Sequence, residues 1–114
     1  GPDGCYENAF IESVGKVAPG TIYVTFGGKD PSALTGEGKK FVEKYKEKYK
    51  TEPEAYAVYG YEAAKVALEA MKTVGKKDRA AIRDAVTATK DFSAGAIGKW
   101  SFTADGDPTQ QIFT

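Results

Sequence analysis

The sequence predicts an α/β fold that is short of strands, and three observations carry that expectation. Gly1-Pro2-Asp3-Gly4 is a turn running straight into a helical stretch, as happens after the carboxyl end of a buried strand in an α/β sheet. Four segments have helical periodicity, yet only one isolated strand and a C-terminal β-hairpin can be read beside them. The isolated strand, residues 21–26, has no adjacent parallel partner in the sequence, and a lone hairpin is marginal in water. The expectation is a portion of a larger α/β body.

Each element has its own justification. The first helix is expected from Tyr6 or Glu7 to Val14, with Ala9, Phe10 and Val14 at helical spacing and Gly15 placed to cap the end. Pro19-Gly20 turns the chain into Thr21-Ile22-Tyr23-Val24-Thr25-Phe26, whose β-branched and aromatic residues predict a strand. Gly27-Gly28-Lys29-Asp30-Pro31 breaks that strand and suits a segment passing between two bodies of structure.

A second helix is predicted over 35–50, with Phe41, Tyr45 and Tyr49 at four-residue steps, Val42 beside them, and charged residues on the other faces. The third follows Pro53, an acceptable first-turn proline. Tyr56, Tyr59, Ala63, Val66, Ala67, Ala70 and Val74 form its apolar stripe, and Glu62, Lys65, Glu69 and Lys72 alternate in sign along its expected exposed side. Asp78 is placed to cap a fourth helix carrying Ala81, Ile82, Ala85 and Val86. Residues 97–103 alternate as a half-buried strand, 104–107 turn, and 109–114 return.

Composition narrows the function. At 114 residues the chain is at most one ordinary domain, able to bury roughly two-thirds of its unfolded surface. Its 16 basic and 16 acidic residues cancel, so no global field draws nucleic acid or an anionic membrane. The lysines among the aromatics of 35–50 read as a solvated face, and no nucleic-acid partner is expected. No apolar run reaches the length of a membrane-spanning segment. Cys5 is alone and reads as a semi-buried thiol.

No catalytic set is readable, and the chain is not expected to be an enzyme. Histidine is absent, which removes the commonest general base and metal ligand together, and no Ser-x-x-Lys stands in for it. Asp105 and Asp107 sit in a turn and lack the remaining ligands of a calcium loop. Gly27-Gly28 lacks the Walker spacing. No metal and no cofactor are expected. Asp3 reads either as a turn former or as a carboxylate at the mouth of a sheet, aimed at a cation such as an ammonium group. Tyr56, taken alone, reads as a core aromatic at the start of a helix.

In order, the blocks resemble a known family. Gly1-Pro2-Asp3-Gly4, the short helix and Pro19-Gly20-Thr21-Ile22-Tyr23-Val24-Thr25 resemble the later part of the branched-chain amino-acid-binding proteins, of the type I periplasmic-binding-protein family. Glu54-Ala55-Tyr56-Ala57-Val58-Tyr59-Gly60-Tyr61-Glu62-Ala63-Ala64, the helix of Ile82 and Val86, and Ile97-Gly98-Lys99-Trp100-Ser101-Phe102-Thr103-Ala104-Asp105-Gly106-Asp107 continue the agreement.

The resemblance implies a portion of a two-lobed type I periplasmic-binding fold, joined by three crossings and closing on its ligand like a clamshell. This chain would be about its last third. Residues 1–26 would be a piece of the second lobe, 27–96 a crossing and helices of the first, and 97–114 the returning hairpin of the second. Asp3 matches the family's acid that accepts the ligand's ammonium group, where many relatives carry glutamate. Tyr56 matches an aromatic that lines the side-chain pocket, where branched-chain binders carry phenylalanine. The groups that grip the ligand's carboxylate would lie in the remaining part of the binding protein.

The implied function is that of an amino-acid receptor of an ABC importer, periplasmic or otherwise extracytoplasmic, with an amino acid and an ABC permease as partners. A sensor or regulator built on the same fold, and an excised piece acting as an assembly module, are the alternatives.

Overall fold

A computed structural model of the chain describes residues 1–17 and 20–109. Four α-helices follow in order: α1 (Asn8–Val14), α2 (Glu37–Tyr49), α3 (Ala57–Val74) and α4 (Arg79–Thr87). Short 3₁₀ turns at Asp3–Cys5, Gly15–Val17 and Pro31–Ala33 punctuate them. The radius of gyration is 16.8 Å, against about 13 Å for a compact domain of this length. The elements do not close around a single centre.

The helix ends follow local chemistry. Gly15 (φ 60°) and Gly75 (φ 68°) end α1 and α3 in backbone conformations that favour glycine, each returning its N–H to a carbonyl of the last turn. Asp78 caps α4 through a 3.0 Å bond from the Ala81 N–H, which lowers the pKa of its carboxyl, with help from Lys76. Asp30 caps the Pro31–Ala33 turn in the same way through Ser32. The ends at Gly15, Gly75 and Asp78 are where the sequence places them, and the Asp30 cap is an addition.

The core gathers where α2, α3 and the segment after α4 meet. Leu34, Val42, Val58 and Ala96 are buried together, with Phe41, Tyr59 and Ile97 packed against them. Val58, Glu62, Val66 and Ala70 form the buried register of α3 at four-residue steps. This corrects the sequence reading in two respects. Ala63 and Tyr56, expected in the apolar stripe, are exposed, and Glu62, expected on the charged outer side, is 4% exposed.

The reason lies in the segment that crosses α3. One Glu62 oxygen accepts from the Trp100 indole Nε1 at 2.7 Å, and the other accepts from the backbone N–H groups of Ala96 and, at 3.4 Å, Ile97. A side chain at Gly95 would occupy the place of this carboxylate. The partner, not the helix pattern, selects the buried face.

Strand pairing is sparse among the described residues. Segment 21–26 carries no ladder, although exposure alternates over its last four residues, with Val24 and Phe26 half-buried and Tyr23 and Thr25 exposed. A ladder needs a neighbour, and what adjoins the segment is the chain start, where the Gly1 ammonium donates to the Tyr23 carbonyl. The hairpin begins earlier than expected. Phe92 pairs antiparallel with Trp100 through bonds of 2.7 and 3.0 Å, and Phe102 bridges to Pro108 around the 104–107 turn. The returning strand of 109–114 lies, beyond Thr109, outside the described residues.

Two stability outcomes follow from this packing. Glu62→Ala leaves the buried N–H of Ala96 and the Trp100 indole unpaired, at about 1–3 kcal/mol each, so the expected loss is about 2–6 kcal/mol. Trp100 is the only tryptophan in the sequence, so denaturation followed by its emission reads the loss; an unchanged midpoint would show these bonds to be incidental. For the glycines, a Cβ at Gly38 meets the Ala96 carbonyl, whereas one at Gly60 meets open space. Gly38→Ala should therefore destabilise by about 1–3 kcal/mol, and Gly60→Ala should stabilise by up to about 1 kcal/mol, compared by thermal melts.

Candidate functional site

Asp3 and Tyr56, far apart in sequence, come together. The Pro2 carbonyl accepts from the Cys5 N–H at 3.0 Å and the Asp3 carbonyl from the Tyr6 N–H at 2.8 Å, which tightens the opening turn and leaves Asp3 exposed. Tyr56 stands at the N-cap of α3, its carbonyl accepting from the Tyr59 and Gly60 N–H groups at 3.1 Å each. Its side chain is 45% exposed. The pKa of the Tyr56 hydroxyl is raised, first by partial desolvation and then by its hydrogen bond to the Asp3 carboxylate and the charge that carboxylate carries.

Phe26 stands beside this pair. Its ring lies edge-on to Tyr56 at 4.9 Å and to Tyr59 at 6.0 Å, and is stacked on Tyr6 at 5.5 Å. The Tyr59 hydroxyl accepts from the Lys29 N–H at 3.0 Å. Gly28 leaves room for both: a Cβ there would meet the Tyr59 hydroxyl and the Phe26 ring. Sequence reasoning singled out none of Tyr6, Phe26 and Tyr59 as site residues. The available signal was the place of Phe26 at the end of a strand-like run, where open α/β sheets hold ligands.

Two hollows adjoin the group. A small one of about 270 Å³ is lined by Tyr6, Phe26, Gly28, Lys29, Asp30 and Ala33. A larger cleft of about 620 Å³ runs between α1 with residues 22–24 on one side and residues 30–32 and 51–55 on the other. Across it, Asn8 Nδ2 donates to Glu54 Oε1 at 3.1 Å.

Chemically, the arrangement suits binding. One exposed carboxylate has a phenol as its partner, and the ring of that phenol meets Phe26, a pairing of charge and aromatic surface that fits a cation attached to an organic body. Asp105 and Asp107 lie exposed in the distant hairpin turn, and Cys5 is free and half-buried. No group of three or more acid, histidine or cysteine side chains that could hold a metal occurs among the described residues. Among them, too, no helix is long and apolar enough to cross a membrane.

Comparison with known proteins adds an independent line. A family model described as periplasmic binding protein matches residues 3–114. A crystal structure of the leucine binding protein LivK from Thermotoga maritima is 35% identical with a TM-score of 0.78. The match covers 96% of this chain and 31% of that one, so this chain spans about a third of its length. No curated protein matched.

The Asp3–Tyr56 contact has a consequence in pH. A folded-state phenol held above its ordinary value of 10.0 keeps its proton where the unfolded chain has lost it. Its contribution to stability is complete below about pH 10 and is lost as pH rises through the raised value. Tyr56→Phe should therefore flatten part of the alkaline fall in melting temperature, and Asp3→Asn should reduce the same fall. Melts from pH 8 to 12 that superpose for all three proteins would contradict the contact.

Proposed function

The chain belongs to the periplasmic binding protein family, and we propose that it is the carboxyl-terminal part of an amino-acid receptor serving an ABC importer. The receptor would work outside the cytoplasm by non-covalent capture, with lobe closure as the signal to the permease. Under this reading residues 1–26 belong to the second lobe, 27–96 to a crossing and the first lobe, and 97–114 return to the second. Membership of a family of binding proteins agrees with the expectation that the chain is not an enzyme.

The observation that carries the reading is the meeting of Asp3 with Tyr56 beside an aromatic group. An α-amino acid would present its ammonium group to Asp3, replacing or joining a neutral hydroxyl donor with a charged one, which forms a hydrogen bond roughly twice as strong. Tyr56 would face the ligand's side chain. The ligand's carboxylate would be held by the remaining part of the receptor. The solved relative is a leucine binding protein, which makes an apolar amino acid the first candidate, while the Tyr56 hydroxyl favours a more polar one.

Closure matters to the energetics. In water a single exposed ion pair contributes about 0–1 kcal/mol, whereas micromolar affinity needs about 8 kcal/mol. Residues 1–114 alone should therefore bind amino acids weakly or not at all. Micromolar binding of leucine by these residues in calorimetry would refute that.

In the complete receptor Asp3→Ala leaves the ligand's ammonium unpaired in a closed cleft and should lower affinity at least about a hundredfold. The ligand-free melting temperature should change little. Tyr56→Phe should shift preference among side chains without abolishing binding. Titration of each variant with a panel of α-amino acids, beside ligand-free melts, provides the test. Normal affinity in an Asp3→Ala protein that melts much earlier would make Asp3 a turn former and sink the site assignment.

A further inference from the structure

We infer that Phe26 is the positioning residue of this site: its ring fixes where Tyr56 stands relative to Asp3 and couples that placement to the Gly27–Gly28 segment. The inference rests on the proposed amino-acid site and deepens it. Three aromatic rings meet Phe26. Tyr6, three residues after Asp3, is stacked on it with the rings 19° from parallel, whereas Tyr56 and Tyr59, one turn apart at the start of α3, both meet it edge-on at 72°.

Edge-on contact of a ring places the neighbouring ring in angle as well as in distance. Tyr56 needs such a neighbour, because it stands at the cap of α3, half-exposed, outside the buried Val58–Glu62–Val66–Ala70 register. Through Tyr59 the same ring is tied to the backbone that follows it. The Tyr59 hydroxyl takes the Lys29 N–H, and Gly28 packs against both Tyr59 and Phe26. A change of backbone angle at Gly27 or Gly28 would therefore move Phe26 relative to α3, and Tyr56 with it. The ring that faces a ligand's side chain is set by the segment that would bend on closure.

The test uses the full-length protein and has two arms. In the first, without ligand, the protein carries 3-fluorotyrosine and the Tyr56 ¹⁹F resonance is assigned by its loss in Tyr56→Phe. Phe26→Leu, which keeps apolar bulk but removes the ring, should shift that resonance. Phe26→Tyr should restore it, since the added hydroxyl can enter the 270 Å³ hollow that Phe26 lines. An unmoved resonance in Phe26→Leu overturns the inference whether or not any amino acid binds.

In the second arm, calorimetry compares a side-chain-bearing amino acid with glycine. Phe26→Leu should reduce the preference for the side chain about 3- to 10-fold, the range of one aromatic pair. The reduction should vanish in a Tyr56→Ala background, because the effect passes through Tyr56. An unchanged preference, or a reduction that persists without Tyr56, overturns the inference. A wild-type protein that binds no amino acid removes the proposed function instead, and the resonance arm still decides the role of Phe26.

Discussion

A buried carboxylate holds the helical part of this protein together. Taking Glu62 out of water costs several kcal/mol unless its oxygens find partners, and they find three N–H groups, all from residues 96–100. Among the described residues, that segment's own strand pairing is a single bridge, Trp100 with Phe92. Once it is pinned, Ala96 completes the group with Leu34, Val42 and Val58. The Ala96 carbonyl then closes over Gly38 of α2, and the ring of Trp100 meets Phe92 and Phe102 at 5.6 and 4.9 Å. One side chain thus brings α2, α3 and the hairpin to a common place.

What could be read from the sequence was what is local. Caps at Gly15, Gly75 and Asp78 depend on a residue's own backbone preferences or on a side chain reaching three positions onward, and each is where its residue type suggests. The buried face of α3 is a different kind of fact. Tyr59–Ala63–Val66–Ala70 and Val58–Glu62–Val66–Ala70 are neighbouring faces of one helix, and apolar counting prefers the first. Only the N–H groups of a segment more than thirty residues onward favour the second. The 21–26 run has strand-like alternation but no ladder for the same reason, because pairing belongs to two segments and not to one.

The site shows the same division. Asp3 and Tyr56 were recognisable by resemblance, each in its own motif. Their contact was not, since it depends on how the opening turn is set against the start of α3. Nor were the rings around Phe26, because edge-on pairs leave no periodic trace in a sequence. Among the described residues, those near the chain start meet the rest through a few polar and aromatic contacts, such as Asn8 with Glu54 and Tyr6 with Phe26, and none of them joins the buried core cluster.

Gly28 has no left-handed backbone conformation that would demand glycine. Room is what it supplies, because any larger residue would displace the Tyr59 hydroxyl or the Phe26 ring. Yet a residue retained for its size carries the widest dihedral range of any amino acid. Tight aromatic packing and backbone freedom therefore call for the same residue at this position. Alanine or serine here would crowd the rings and narrow the backbone's range in one change.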